Sequence, residues 1–410
     1  MTLAFKPGTR CHQNQCTLAA LRKSDPLQQE QNGMARILLV DCAPFCGGAQ
    51  ESLLTLALAL SARGQQLQLL CADASPGGLA ERAAAGGLRV RKFPCRHWPA
   101  SLPGLLQYCS DRRRFREVWR ALAAEFQPQI IIANGLRSAL LLQRSSSLPP
   151  GVPMILHDRD LRCPALLPRM LAKSCAAVIA ISKAVSEKWR CLLPDGRLFV
   201  IYNGFDLQAL AALPAATRSG ERPFNIIQVA DFLPWKGHQL FLQSLARLPA
   251  GLPEWQAIIR GRVRSSAEEQ YRRKIAALAE SLGLKEKLSI IDQPSGALQD
   301  IANADLLVSC SENEPFGRTV IEALAMGKPV LAVAGGGVQE ILSGCAAARI
   351  CPADPAALAA AIQDLQAQLP DQEWEQVARA HAAKFSSADY AEQVLAVCLS
   401  LLETPAAQVR

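Results

Sequence analysis

Between Ala304 and Glu340 the chain alternates short apolar runs with proline- and glycine-bearing loops and short helical patterns, and this punctuation admits few folds. Ala304 to Val308 (ADLLV) reads as a buried strand, which Pro315 and Gly317 end. A helical pattern from Arg318 to Met326 stops at Gly327, a residue suited to the position just past a helix C-terminus. A second strand, Val330 to Ala334, leads into Gly335, Gly336 and Gly337 and another short helix. Strand, loop and helix repeated at this spacing give a parallel sheet whose loops gather at its carboxyl edge, where ligands bind. Glu314 and Glu322 lie eight positions apart across one such loop-to-helix junction. Backbone N–H groups of a glycine loop and a helix N-terminus attract phosphate. A carboxylate one or two turns along the helix can accept hydrogen bonds from ribose hydroxyls.

The same pattern opens the first half. Arg36 to Val40 reads as a strand, followed by Pro44, Gly47 and Gly48 and an apolar helix from Gln50 to Ala62 that stops near Gly64. Further strands fit Gln66 to Cys71, Gln129 to Ala133, Met154 to Leu156, Ala177 to Ile181 and Leu198 to Tyr202. Asn203-Gly-Phe-Asp206 and the Pro/Ala-rich stretch to Pro223 form a hinge, and strands at Asn225 to Ala230 and Gln256 to Gly261 begin a second unit. The expected class is α/β, with two doubly wound, Rossmann-like domains facing a central cleft. Residues 34–203 form the first domain and 204–385 the second, with a helical pattern in 386–410. Residues 1–33, which lack an apolar core and precede a fresh start at Met34, read as a disordered tail or a mis-annotated extension.

With 410 residues the chain is long for one domain, and its longest apolar run, Leu53 to Leu60, is too short to span a bilayer. Fourteen dispersed cysteines without a Cys-x-x-Cys pair argue against zinc and a redox pair, and suit a reducing cytosolic compartment. Charge is divided unequally: residues 34–200 carry 22 Lys or Arg against 11 Asp or Glu, whereas 201–410 carry 18 against 23. A basic first half beside an acidic second half suggests an anionic partner for the first, such as a lipid surface or a phosphorylated glycan. Nucleic acid is disfavoured, because no recognised module is present and only 5% of residues are aromatic. The run Arg112 to Arg120 reads as a helix that either lies on an anionic membrane, with Trp119 at headgroup level, or packs Phe115, Val118 and Trp119 inward.

Glu314-Pro-Phe-Gly-Arg-Thr-Val-Ile-Glu322 resembles the E-x7-E motif of the retaining glycosyltransferases of family 4. The resemblance continues through Glu322-Ala-Leu-Ala-Met-Gly-Lys-Pro-Val330 and Gly336-Gly-Val-Gln-Glu340, with weaker matches over most of residues 34–385. It implies the two-domain GT-B fold and transfer of a sugar from a nucleotide sugar, with retention, to a glycan or lipid-linked acceptor of surface polysaccharide or lipopolysaccharide synthesis. Glu314 would contact the transferred sugar or its leaving group. Lys236, in Val229-Ala-Asp-Phe-Leu-Pro-Trp-Lys-Gly237, would clamp the diphosphate, and His157, placed just after a strand, would face the cleft near the sugar. Gly47, Gly48, Phe316, Gly317, Arg318 and Glu322 complete the implied donor site, with Glu322 on the ribose. Asn134 and Ser182 resemble further cleft positions, and Asn203 either shapes the hinge or faces the ligand. No metal is implied, since cations and helix dipoles take its place. One departure stands out. Relatives often have a second phosphate-binding arginine five residues before the lysine, where this chain has Asp231, so that a second cation must come from elsewhere, Arg318 or Arg262 being candidates. A non-catalytic nucleotide- or glycan-binding relative and a sugar-nucleotide epimerase are the alternatives.

Overall fold

The computed structural model describes residues 34–72, 75–96, 102–144, 151–215, 222–249, 254–293, 295–368 and 373–403. The first 33 residues and the last seven, with the expectations placed on them, lie outside that set, as does part of the hinge.

Two parallel sheets organise the chain. The first comprises β1 (Arg36–Asp41), β2 (Gln66–Cys71), β3 (Arg89–Lys92), β4 (Ile130–Asn134), β5 (Met154–Asp158), β6 (Ala177–Ala180) and β7 (Leu198–Val200), in the order β3-β2-β1-β4-β5-β6-β7. The second comprises β8 (Phe224–Val229), β9 (Trp255–Arg260), β10 (Leu288–Ile291), β11 (Leu306–Ser309), β12 (Val330–Val333) and β13 (Ala348–Cys351), ordered β10-β9-β8-β11-β12-β13. In both sheets the order reverses at the first strand, which opens a crevice at the carboxyl ends on either side of it.

The central strands are buried on both faces, which explains their unbroken apolar runs: Ile37, Leu38, Leu39 and Val40 of β1 are all inaccessible to solvent. Leu- and Ala-rich helix Gly48–Ala62 covers one face of the first sheet through Leu53, Leu56 and Leu60 and ends at Gly64, whose φ of 77° is the left-handed conformation glycine adopts readily. The opposite face packs on helix Leu102–Phe126. Phe115 and Trp119, one turn apart, are fully buried there, and Phe115 meets the ring of Phe93 edge-on at 5.2 Å. This corrects the membrane-surface reading of the segment in one respect: its tryptophan belongs to the core and not to a headgroup layer. Arg113, Arg114 and Arg120 remain exposed. Among the described residues no helix is long and apolar enough to cross a membrane.

The final helix, Ser387–Glu403, returns to the first sheet, where Tyr390, Ala391, Val394, Val397 and Cys398 pack into the same core as Leu53 and Leu56. The chain thus crosses between the halves twice: at Asn203–Asp206, and again near Phe385, where Phe205 and Ser386 form an isolated bridge.

Candidate functional site

A cavity of about 940 Å³ lies between the carboxyl edges of the two sheets, lined by residues of both. On the second-sheet side, the turn after β8 presents Lys236, whose Nζ donates to Glu314 Oε2 at 2.6 Å and lies 4.1 Å from the Trp235 ring. Glu314 precedes helix Arg318–Ala325, which begins at Gly317 with φ of 100°. A Cβ at Gly317 would stand 3.0 Å from Val338, so both conformation and space favour glycine. Phe316 also lines the cavity, yet its ring is buried against Phe205 and Phe385; it anchors the loop.

Glu322 sits just over one turn into that helix with its side chain 13% exposed. Burial raises its carboxyl above the usual range, opposed by Arg318, while Glu51 across the cleft adds to the rise. Arg318 donates to Glu322 Oε1 at 3.2 Å and to Ser52 Oγ at 2.6 Å, and its guanidinium covers the Phe205 ring at 4.7 Å. Ser52 belongs to the first-sheet helix Gly48–Ala62, so this arginine ties the two halves together across the ligand space.

Asp231, where the family's second arginine would stand, binds two arginines itself: Arg262 Nε at 2.9 Å and Arg264 Nη2 at 2.7 Å. Burial alone would raise its carboxyl, but hydrogen bonding and charge from Arg262, with the charge of Arg264, hold it below the usual range. Arg262 also donates to the Cys46 carbonyl in the first-sheet loop, beside Gly47 and Gly48.

The first-sheet side is built on a buried polar chain. Asp41, at the end of β1, accepts from Gln50 Nε2 at 2.8 Å and from the Asn134 amide. Asn134 Oδ1 accepts from Arg159 Nε at 2.5 Å, and Arg159 also donates to Asn203 Oδ1 at 2.6 Å and to the Tyr390 hydroxyl at 3.3 Å. Tyr390 comes from the returning C-terminal helix, so that helix contributes to the floor of the site.

Two expectations are corrected. His157 is the fourth residue of β5 and not a residue beyond it; it is 0% exposed, packs on Tyr390 at a ring separation of 5.8 Å, and is absent from the cavity lining. Burial, then the charge of Arg159, keeps it neutral. Arg159, two residues on and unassigned by sequence reasoning, takes the cleft position. Second, Gly335 to Gly337 lie outside the cavity lining. A Cβ at these positions would lie 2.0, 2.2 and 2.4 Å from the carbonyl oxygens of Glu312, Glu314 and Pro315 respectively, so the glycines permit two loops to touch and fix Glu314. Gly47 and Gly48 both line the cavity; the Gly47 N–H donates to Gln50 Oε1 at 3.0 Å, and Gly48 borders Arg318. Ser182 lies outside the cavity lining; it caps a short helix and donates to the Pro315 carbonyl of the other half at 2.7 Å.

Two facing parallel sheets, a cleft between them and a helix N-terminus flanked by Glu314 and Glu322 define a GT-B glycosyltransferase architecture. Residues 46–209 match the model of Glycosyltransferase Family 4 and residues 212–380 that of Glycosyl transferases group 1. The chain belongs to the family 4 glycosyltransferases. A GDP-mannose:cellobiosyl-diphosphopolyprenol alpha-mannosyltransferase of Xanthomonas oryzae is 31% identical over 39% of this chain and 41% of its own length. The lipopolysaccharide core biosynthesis mannosyltransferase LpsB of Rhizobium meliloti is 30% identical over 27% of this chain and 31% of its own. The chain thus aligns with less than half the length of these curated relatives. Among solved structures, Anabaena Alr3699/HepE in complex with UDP and glucose superposes with a TM-score of 0.72 at 21% identity, covering 89% of this chain and all of that one.

Proposed function

We propose that this protein transfers a sugar from a nucleotide sugar, with retention, to a glycan or lipid-linked acceptor in surface polysaccharide or lipopolysaccharide assembly. The observation that carries the reading is the convergence of Lys236, Glu314 and the Gly317–Arg318 helix start from one half upon the polar floor of the other, in a single cavity. Glu322 holds the donor ribose. Lys236 exchanges its carboxylate partner for the diphosphate, and the N–H groups at the start of helix Arg318–Ala325 add positive potential at the same place. As the anomeric carbon–oxygen bond to the diphosphate breaks, negative charge grows on the leaving oxygen, and a fixed cation there lowers the barrier. The acceptor oxygen bonds to the anomeric carbon on the same face, and its proton passes to the departing phosphate. Glu314, held beside that oxygen, orients the transferred sugar. This arrangement assigns charge stabilisation to Lys236 and the helix dipole and asks for no metal or other cofactor. The exposed arginines of Leu102–Phe126 and the positive excess of the first half suit an anionic membrane at its cytoplasmic face, where a lipid-linked acceptor would be met.

A thermal-shift panel of UDP, GDP, ADP and CMP with their common sugar conjugates tests the donor site, since a ligand of the folded state raises the midpoint by mass action. One nucleotide family should stabilise the protein, and Lys236→Met should then lower turnover of its sugar conjugate by about 10²–10³-fold. A folded protein that no nucleotide stabilises would overturn the reading.

A further inference from the structure

Seven cationic side chains line the cavity among the described residues: Arg82, Arg159, Lys236, Arg260, Arg262, Arg264 and Arg318. Six of them have a carboxylate partner. Arg82 pairs with Glu51, Lys236 with Glu314, Arg260 with Asp300, Arg262 and Arg264 with Asp231, and Arg318 with Glu322. Arg159 has none within ion-pair distance. Its hydrogen-bond partners are two carboxamide oxygens and a phenol, all uncharged, at 2.5, 2.6 and 3.3 Å. Two carboxylates, Asp41 and Asp160, feel its charge but form no ion pair with it: Asp41 is reached through Asn134, and Asp160 lines the same cavity. Asp158 is already held by Lys188 at 2.7 Å and by the Trp189 indole at 2.6 Å.

Arg159 is 7% exposed. A guanidinium so buried and without a directly paired carboxylate is costly, and a bound anion would relieve that cost. It also carries five N–H donors, of which these contacts use three. The remaining two sit on a side chain that borders the cavity, and the three engaged ones hold the plane of the group fixed. A rigid, pre-aimed fork of N–H donors matches the paired oxygens of a phosphate.

We propose that Arg159 is a phosphate-binding residue of the cleft, presented from the first-sheet side, and that it supplies the second cation missing at Asp231. The inference rests on the glycosyl-transfer reading for the source of that phosphate. The group is either the diphosphate that leaves with the donor nucleotide or a phosphate carried by the acceptor. The two sequence candidates for the second cation, Arg262 and Arg318, are each already neutralised by a carboxylate, whereas Arg159 is not.

Arg159→Gln and Arg159→Lys test this by calorimetric titration of the full chain. The probes are inorganic pyrophosphate, the nucleoside diphosphate that stabilises the wild type, its monophosphate, and inorganic phosphate added to nucleotide-saturated protein. If Arg159 meets the leaving group, Gln weakens diphosphate and pyrophosphate binding by about tenfold or more while the monophosphate changes little, and Lys restores part of the loss. If it meets the acceptor, nucleotide affinities hold and the wild type's binding of inorganic phosphate beside the nucleotide disappears in Gln. Unchanged affinity for every probe in both variants, with wild-type melting, overturns the assignment and leaves Arg159 a structural residue. A wild type that binds pyrophosphate through Arg159 but no nucleotide would sink the donor reading and keep this one. Should Gln fail to fold, Lys decides: its single ammonium cannot reproduce the fork, so unaltered pyrophosphate affinity in Lys counts against the proposal.

Discussion

Glu322 is held at a cost to the stability of the fold. Its side chain is mostly buried beside Arg318, and burial raises its proton affinity above the carboxyl's ordinary 4.5. Because the folded state binds the proton more tightly than the unfolded chain, the penalty is absent below about pH 4.5 and grows as pH rises through the folded value. Glu322→Gln keeps an acceptor for Arg318 and removes the charge. The ligand-free variant should therefore melt above the wild type at neutral pH, by roughly 1 kcal/mol or about 2–4 °C, and the gap should close toward pH 4.5. It should also lose the nucleotide-induced shift, which a purely structural glutamate would keep. Melting curves across pH with and without nucleotide check both. These carboxylates were legible in the chain because Glu314, Gly317 and Glu322 form one local loop-to-helix unit. Arg159 was not, because its role depends on Asn134, Asn203 and Tyr390, which come from three remote segments and which no local pattern connects. His157 failed for a related reason: the apolar run Met154 to Leu156 understates β5, which extends through His157, whose Nε2 faces the Tyr390 hydroxyl at 3.4 Å, and Asp158, held by the Trp189 indole and Lys188.

Elements with apolar centres were legible and polar edges were not. Strands β1, β2, β4, β8 and β9 lie within a residue or so of where their Val, Ile and Leu runs place them. β3, with the sequence RVRK, and the partly exposed β10 and β13 were missed, since edge strands need bury only one side. Helix His238–Leu245 shows how a buried polar residue sets an element's start. His238 stacks on Phe232 at 5.2 Å, with Tyr271 edge-on, and its Nε2 faces the Ala230 carbonyl at 3.3 Å. Burial lowers its pKa to about 4, outweighing the bond to Ala230. With a folded value below the unfolded 6.5, this residue contributes stability that is present above about pH 6.5 and lost as pH falls toward 4. The full loss is on the order of 3 kcal/mol. His238→Phe should flatten that part of the acid limb in denaturant titrations between pH 6.5 and 4. His157 and His381, also lowered by burial, leave a residual slope. An acid limb identical to wild type would show that His238 is not protonated on unfolding in this range.

At the scale of the molecule, the cleft is set by contacts that cross it as much as by either sheet. Glu340, in the short helix after the glycine loop, accepts from the backbone N–H groups of Lys183 at 3.0 Å and Ala184 at 3.3 Å, and from the Tyr202 hydroxyl at 3.1 Å. With Ser182 on the Pro315 carbonyl and Arg318 on Ser52, this forms a set of pins between halves joined by only two chain crossings. Sequence could place the two α/β units and the hinge, because each unit is written in consecutive residues. The angle between them could not be read, since it is fixed by pairs separated by more than a hundred residues. The glycine loop sits between these contacts: its backbone packs on the Glu312–Pro315 loop, and the helix it leads into carries Glu340. Glu340→Ala removes three hydrogen bonds at one carboxylate and should loosen the closed state without touching any cavity-lining group. Small-angle scattering of the ligand-free variant should show a larger radius of gyration than wild type, and saturating nucleotide should bring the two together. Nucleotide affinity should fall by about tenfold, because binding must then supply the closure that the pins provided beforehand. Identical scattering curves and identical affinity would mean that the remaining contacts hold the domains alone.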